Sequence, residues 1–168
     1  MADSKPINVL FLCMHNSARS ILAEALLNHL GQGRFKAFSA GSSPRENQQP
    51  NHLALEVLRN AGVSTEGLRS KTWDEFGKVD APHMDLVITV CDNAAGEVCP
   101  YWPGHPATAH WGYPDPSEAT GSREQKLEAF RQTLHAIRRR LELLVDLPLA
   151  GVDHLLLQTR ARELASKS

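Results

Sequence analysis

Apolar positions recur along this chain in two rhythms, and their alternation predicts an α/β fold. Ile7–Leu12 is apolar but for Asn8, the pattern of a strand buried on both faces. Ser20–Leu30 keeps helical spacing, and Gly31 is placed to stop that helix. Phe35–Ser39 predicts a short second strand, ended by Ala40-Gly41, and Ser42–Pro50 is a polar loop with two prolines. Asn51–Ala61 sets Leu53, Ala54, Val57, Leu58 and Ala61 on one face, with Gly62 as its C-terminal cap. Thr72–Phe76 predicts a helical turn and Asp85–Val90 an uninterrupted apolar strand. Cys91–Gly121 is long, rich in Gly and Pro and irregular except for a short strand at Thr108–Trp111; ordered loops of that kind usually carry function.

Ser122–Leu144 reads as a long helix, with Leu127, Phe130, Leu134, Ile137, Leu141 and Leu144 on one side and Arg138–Arg140 as a solvated face. Pro148 breaks it, and Gly151–Ala165 predicts a terminal helix docked on the domain or on a second copy. The expected organisation is a domain over residues 1–147 and a helical tail over 148–168. The alternation implies a three-layer sandwich around a central, mainly parallel four-stranded sheet, with helices on both faces. Ligands in such folds sit at the carboxyl ends of the strands, where Cys13 and Cys91 both fall.

The 168 residues, 42% hydrophobic and 22% charged, suit one globular domain with a substantial core. A net charge of -1 gives no sign of a surface for nucleic acid or an anionic membrane, and neither is expected as a partner. No apolar run approaches the roughly 20 residues that span a bilayer, and Met1–Pro6 lacks a signal-peptide pattern. A cytoplasmic protein is the expectation. Three cysteines, an odd count, argue against a disulfide scaffold and for metal or redox work.

The first strand and helix are joined by Cys13-Met-His-Asn-Ser-Ala-Arg19-Ser20. A helix start presents unsatisfied N–H groups and the positive end of its dipole, a seat for a tetrahedral oxyanion. Arg19 adds a planar bidentate clamp. The same surroundings favour the thiolate form of a cysteine, so Cys13 reads as a nucleophile. The expected oxyanion-binding set is Met14, His15, Asn16, Ser17, Ala18, Arg19 and Ser20. Asn16 tolerates left-handed angles and reads as structural; His15 reads equally as a second cation or an exposed side chain. Ser17 and Ser20 can donate to the loop or to the thiolate.

Cys91 follows a buried strand as Cys13 does, and Cys99 lies eight positions on across a segment of small and polar residues. One nucleophile with two further thiols can form a relay of disulfide exchanges. The competing reading, zinc bound by Cys91, Cys99, His105 and His110, meets a C-x7-C spacing wider than usual, so no metal is expected. Asp115 stands between Pro114 and Pro116, which stiffen its loop. A protonated carboxyl there can supply the proton for a departing oxygen. Trp111 and Tyr113 are expected to wall the crevice. On residues alone, a phosphatase, a thiol-coupled reductase and a three-thiol metal or arsenite sensor all stand, although the sensor leaves Arg19 and Asp115 without a task.

Val9–Glu24 resembles the anion-binding loop of low-molecular-weight tyrosine phosphatases and of the arsenate reductases built on that fold, and Ser39-Ala-Gly41 matches both. Val87–Asp92, Cys99-Pro100 and His110–Pro116 resemble the arsenate reductase branch. The resemblance runs from about Ile7 to Leu144 and implies reduction of arsenate to arsenite, with phosphate or sulfate as competing anions. It makes Cys13 the nucleophile, Arg19 the oxyanion clamp and Asp115 the acid. Cys91 would expel arsenite and Cys99 would present the disulfide to thioredoxin, or glutathione with glutaredoxin would replace that relay. Ala18 stands where many relatives have a further cysteine. Part of a potassium site in some relatives matches Asn16, Ser39 and Ser70, but Thr72 takes the acidic position, so no resident cofactor is implied beyond an external thiol reductant. A monomer or weak dimer is expected.

Overall fold

The computed structural model describes residues 5–92, 106–148 and 154–166. Strands β1 (Ile7–Cys13), β2 (Phe35–Gly41), β3 (Leu86–Thr89) and β4 (Ala107–His110) form one sheet in the order β2-β1-β3-β4. Every pairing is parallel. The central strand β1 is buried from Val9 to Cys13, which is why it lacks polar alternation.

The side-chain period of two divides β1 between two cores. Val9, Phe11 and Cys13 join the larger core, with α1 (Arg19–Gly31), α2 (His52–Asn60) and α3 (Arg123–Val145). Leu10 and Leu12 join the smaller one, with Ala40, Met84 and Val87 under Phe38, Trp73 and Phe76. Among the described residues, the helical element of that thinner layer is a 3-10 turn over Trp73–Phe76. The terminal helix α4 (His154–Leu164) packs against the edge strand β4.

Helix ends refine the sequence reading. Asn51 caps α2 by accepting from the amides of Leu53 and Ala54 at 2.8 and 3.4 Å. Ser122 and Gln125 form a reciprocal capping box on α3. Gly31 does not stop α1 but is its last residue. The left-handed turn falls on Gln32 (φ 47°), and Gly31 instead admits Phe35, whose Cβ would lie 2.9 Å from a Cβ at position 31. Arg138–Arg140 is not a uniformly solvated face: the Arg140 guanidinium lies 4.9 Å from the centre of the Tyr113 ring.

Candidate active site

The β1–α1 loop is shaped by what presses on it from β2. The carbonyls of Cys13 and Met14 accept from the amides of Ser42 and Ser43 at 3.1 and 2.8 Å. Gly41 allows this approach, since a Cβ there would fall 2.6 Å from the Met14 carbonyl oxygen. Asn16 takes the left-handed conformation (φ 58°) that turns the chain back toward α1, as its residue type predicts. Helix α1 then starts at Ala18 with no side-chain cap and no acidic residue in its first turn. Side chains cap α2 and α3, whereas the α1 amides stay available to an anion.

Cys13 is a free thiol, 4% exposed. Its sulfur accepts from the Asn16 amide at 3.2 Å and lies 3.0 Å from Ser20 Oγ. The direction of that second contact follows from the network behind it. Asn16 Oδ1 accepts from the Lys71 amide at 3.0 Å, which leaves Nδ2 to donate to Ser20 Oγ at 2.8 Å and Ser39 Oγ at 2.9 Å. With its oxygen already accepting from Asn16, the Ser20 hydroxyl can donate its own proton to the Cys13 sulfur. Asn16 and Ser20 are fully buried and lie beneath the loop, outside the lining of the cleft.

Arg19 is 6% exposed, and its Nη1 donates to the Tyr113 carbonyl at 2.9 Å. Its Nη2 lies 3.6 Å from Asp115 Oδ2. Asp115 Oδ1 accepts from the amide and hydroxyl of Ser117 at 2.9 and 2.7 Å, so the carboxyl is held at both ends. Cys13, Arg19 and Asp115 open on one cleft of about 920 Å³, shared with Met14, His15, Ser17, Ala18 and the polar loop Arg45–His52. Among its described lining residues there is no Phe, Tyr or Trp. Trp111 and Tyr113 do not wall it: both are buried in the larger core. His15, one of the lining residues, has Nδ1 3.0 Å from the Ser43 carbonyl.

Cys91 lies two residues past the end of β3, the strand paired in parallel with β1, so it follows the carboxyl end of the sheet where Cys13 also falls. It is 1% exposed and disulfide-bonded. Cys99 and His105 lie outside the described residues. Among those described, no cluster of three or more His, Cys, Asp or Glu is arranged to hold a metal, and no helix is long and apolar enough to cross a membrane.

Two residues beneath the loop escaped the sequence reading. Ser39 Oγ donates to Glu24 Oε1 at 2.5 Å. Lys71 Nζ donates to the carbonyls of Ser39 and Arg69, both at 2.8 Å, and lies 3.8 Å from Glu24 Oε1. Burial raises the Glu24 pKa above 4.5, an effect that the charge of Lys71 opposes. Burial lowers that of Lys71, which Glu24 opposes in turn. The positive charge beside Asn16 and Ser39 is thus the chain's own ammonium, and Thr72 instead caps the 3-10 turn. These residues do not fit a potassium ion.

The family model for low molecular weight phosphotyrosine protein phosphatase matches residues 8–154. An arsenate reductase from Bacillus licheniformis is 35% identical over 80% of this chain and 91% of its own. The crystal structure of an arsenate reductase from Archaeoglobus fulgidus superposes with a TM-score of 0.66 at 30% identity, covering 82% of this chain and 98% of that one. A thioredoxin-dependent arsenate reductase from Corynebacterium glutamicum gives 0.55 at 29% identity, covering 85% and 65%. With its all-parallel β2-β1-β3-β4 sheet and the Cys13–Arg19 loop at the sheet's carboxyl edge, this chain belongs to the low molecular weight phosphotyrosine protein phosphatase family.

Proposed function

We propose that this protein reduces arsenate to arsenite through a cysteine nucleophile and a thiol relay. The Cys13 thiolate attacks arsenic while Arg19 and the α1 amides hold the other oxygens. Asp115 gives its proton to the departing oxygen, which leaves as water, and a sulfur–arsenic(V) bond remains. Cys91 then attacks Cys13 Sγ. A Cys13–Cys91 disulfide forms and the sulfur–arsenic electron pair passes to arsenic, which leaves as arsenite. Cys99 attacks Cys91, restores the Cys13 thiolate and leaves a Cys91–Cys99 disulfide for an external dithiol. Two thiols lose the two electrons that arsenic gains.

The observation that carries this reading is the placement of Cys91 two residues past the strand paired with the Cys13 strand, already disulfide-bonded while Cys13 is free. Water ends a phosphatase reaction and needs no second thiol. The polar cleft, without Phe, Tyr or Trp among its described lining, also favours a small inorganic oxyanion over a phosphotyrosine ring. Thioredoxin is the reductant that the relay suits, and a reducing cytoplasm is its setting.

The test is Cys91→Ser with arsenate and thioredoxin. Turnover is expected to vanish, while any hydrolysis of an aryl phosphate survives. Normal arsenate turnover in this variant would refute the relay. Glutathione with glutaredoxin replacing thioredoxin at full rate would move the reductant assignment, and mass mapping of the trapped disulfide identifies its partners.

A further inference from the structure

We infer that the C-terminal helix α4 is a brace that positions Arg19 and Asp115, acting through Trp111 and Arg140. The inference rests on the anion-binding and acid roles proposed above for those two residues. The family match ends at residue 154, so nearly all of α4 lies past it.

The helix first completes the open edge of the sheet. Gln158 Oε1 accepts from the Thr108 amide at 3.0 Å, and Arg162 Nε donates to the Thr108 carbonyl at 2.9 Å. Two side chains thus do for β4 what a fifth strand would do. From this seat α4 reaches the acid loop twice. The Trp111 indole N–H donates to the Ala161 carbonyl at 2.9 Å, and the ring is fully buried. Arg140 Nη2 donates to the Ala165 carbonyl at 3.0 Å, just past the helix, while the guanidinium stacks on the Tyr113 ring. Trp111 and Tyr113 flank Gly112, so one side of this segment is tied to α4 directly and the other through Arg140 of α3 to the residue that follows α4. The Tyr113 carbonyl in turn holds Arg19 Nη1, and Asp115 follows two residues later. An arginine fixed by a carbonyl on a braced loop keeps its remaining donors aimed at the anion, which is where orientation yields affinity.

The test uses the full chain and inorganic phosphate as probe, read as protection of Cys13 from iodoacetamide. Arg140→Met is expected to raise the protecting phosphate midpoint about five- to tenfold, and Trp111→Phe, which keeps the ring but loses the N–H, about threefold. Arg140→Lys, which keeps a cation over the ring, recovers part of the loss. Alkylation without phosphate stays at the wild-type rate, since Cys13 is built by β1 and Asn16. In an Arg19→Lys background, Arg140→Met adds nothing. An unmoved midpoint in both brace variants overturns the inference. So does an equal loss in the Arg19→Lys background, which marks a general structural role. Arg19→Lys alone separates the two claims. If it moves the midpoint and Arg140→Met does not, the brace alone fails; if it leaves the midpoint unmoved, the anion role of Arg19 fails and the inference falls with it.

Discussion

Replacing Asn16 with aspartate exchanges one NH₂ for an oxygen and is expected to silence Cys13 with little change in shape. In the wild type, Nδ2 donates to Ser20 Oγ at 2.8 Å, and Ser20 Oγ lies 3.0 Å from the sulfur. A carboxylate at position 16 can only accept, so the Ser20 proton turns toward it and leaves Cys13. A hydrogen bond to a charged acceptor is worth about 1.5–3 kcal/mol. The new charge also sits one hydroxyl away from the sulfur, and at an effective dielectric of about 20 two like charges roughly 4–6 Å apart repel by about 3–4 kcal/mol. Nearby Lys71, whose Nζ is held at Ser39 and Arg69, offsets part of this. A net cost of about 3 kcal/mol to the thiolate form corresponds to a roughly hundredfold fall in alkylation rate at pH 7. Ser20→Ala removes only the hydrogen bond and is expected to cost about tenfold. Aspartate tolerates the left-handed backbone, so the circular dichroism spectrum is expected to hold. Iodoacetamide alkylation followed by mass spectrometry reads both variants. An Asn16→Asp rate within threefold of wild type would refute the hydrogen-bond polarity assigned to this network.

Three further outcomes follow from the same contacts. Gly41→Ala pushes a methyl into the Met14 carbonyl, and backbone cannot yield as a side chain would. A stability loss of about 1–3 kcal/mol is expected in urea, with phosphate protection of Cys13 lost. Lys71→Met strands the Glu24 carboxylate, and removing one partner of a buried pair costs about 3–5 kcal/mol. Because burial raises the folded-state pKa of Glu24 above 4.5, its contribution is present below that pH and fades as pH rises through the raised value. The Lys71→Met deficit is therefore expected to be smaller at pH 5 than at pH 7.5, and urea midpoints at the two values check the sign. Ser117→Ala removes the hydroxyl bond to Asp115 Oδ1 and leaves the amide bond, and is expected to slow turnover several-fold while leaving phosphate protection intact, as a competition assay will show.

What could be read from the sequence was what is local. Cys13, Asn16 and Arg19 share one loop, so their spacing along a strand-to-helix turn already implied a thiol at an anion seat. The strands were legible because burial on both faces removes polar residues from Val9–Leu12 and Leu86–Ile88. The missed contacts are long-range. Glu24 and Lys71 lie 47 positions apart, and each alone reads as an ordinary surface charge. Arg140 looked solvated because its helix is charged, yet the aromatic that receives it comes from a loop 27 residues earlier. Trp111 and Tyr113 were expected at the crevice because they neighbour Asp115. Whether a neighbour in sequence faces cleft or core depends on which element covers it, and here that element is α4 with α3.

The donors around Cys13 also bear on the direction of the proposed relay. In a Cys13–Cys91 disulfide, attack by Cys99 on Cys91 expels Cys13, whereas attack on Cys13 would expel Cys91. The sulfur that leaves is the one whose thiolate is better stabilised. Cys13 departs into the Asn16 amide and the Ser20 hydroxyl, at 3.2 and 3.0 Å, beside an uncapped helix start. The features that make Cys13 a good nucleophile in the first step make it a good leaving group in the last. A free Cys13 and a disulfide-bonded Cys91 are the state in which such a sequence ends. The same donors then hold Cys13 for the next attack, so one set of hydrogen bonds serves attack and release. Asn16→Asp would accordingly slow the last exchange as well as the first attack, and a preformed Cys13–Cys91 disulfide in that variant would be resolved by Cys99 more slowly than in the wild type.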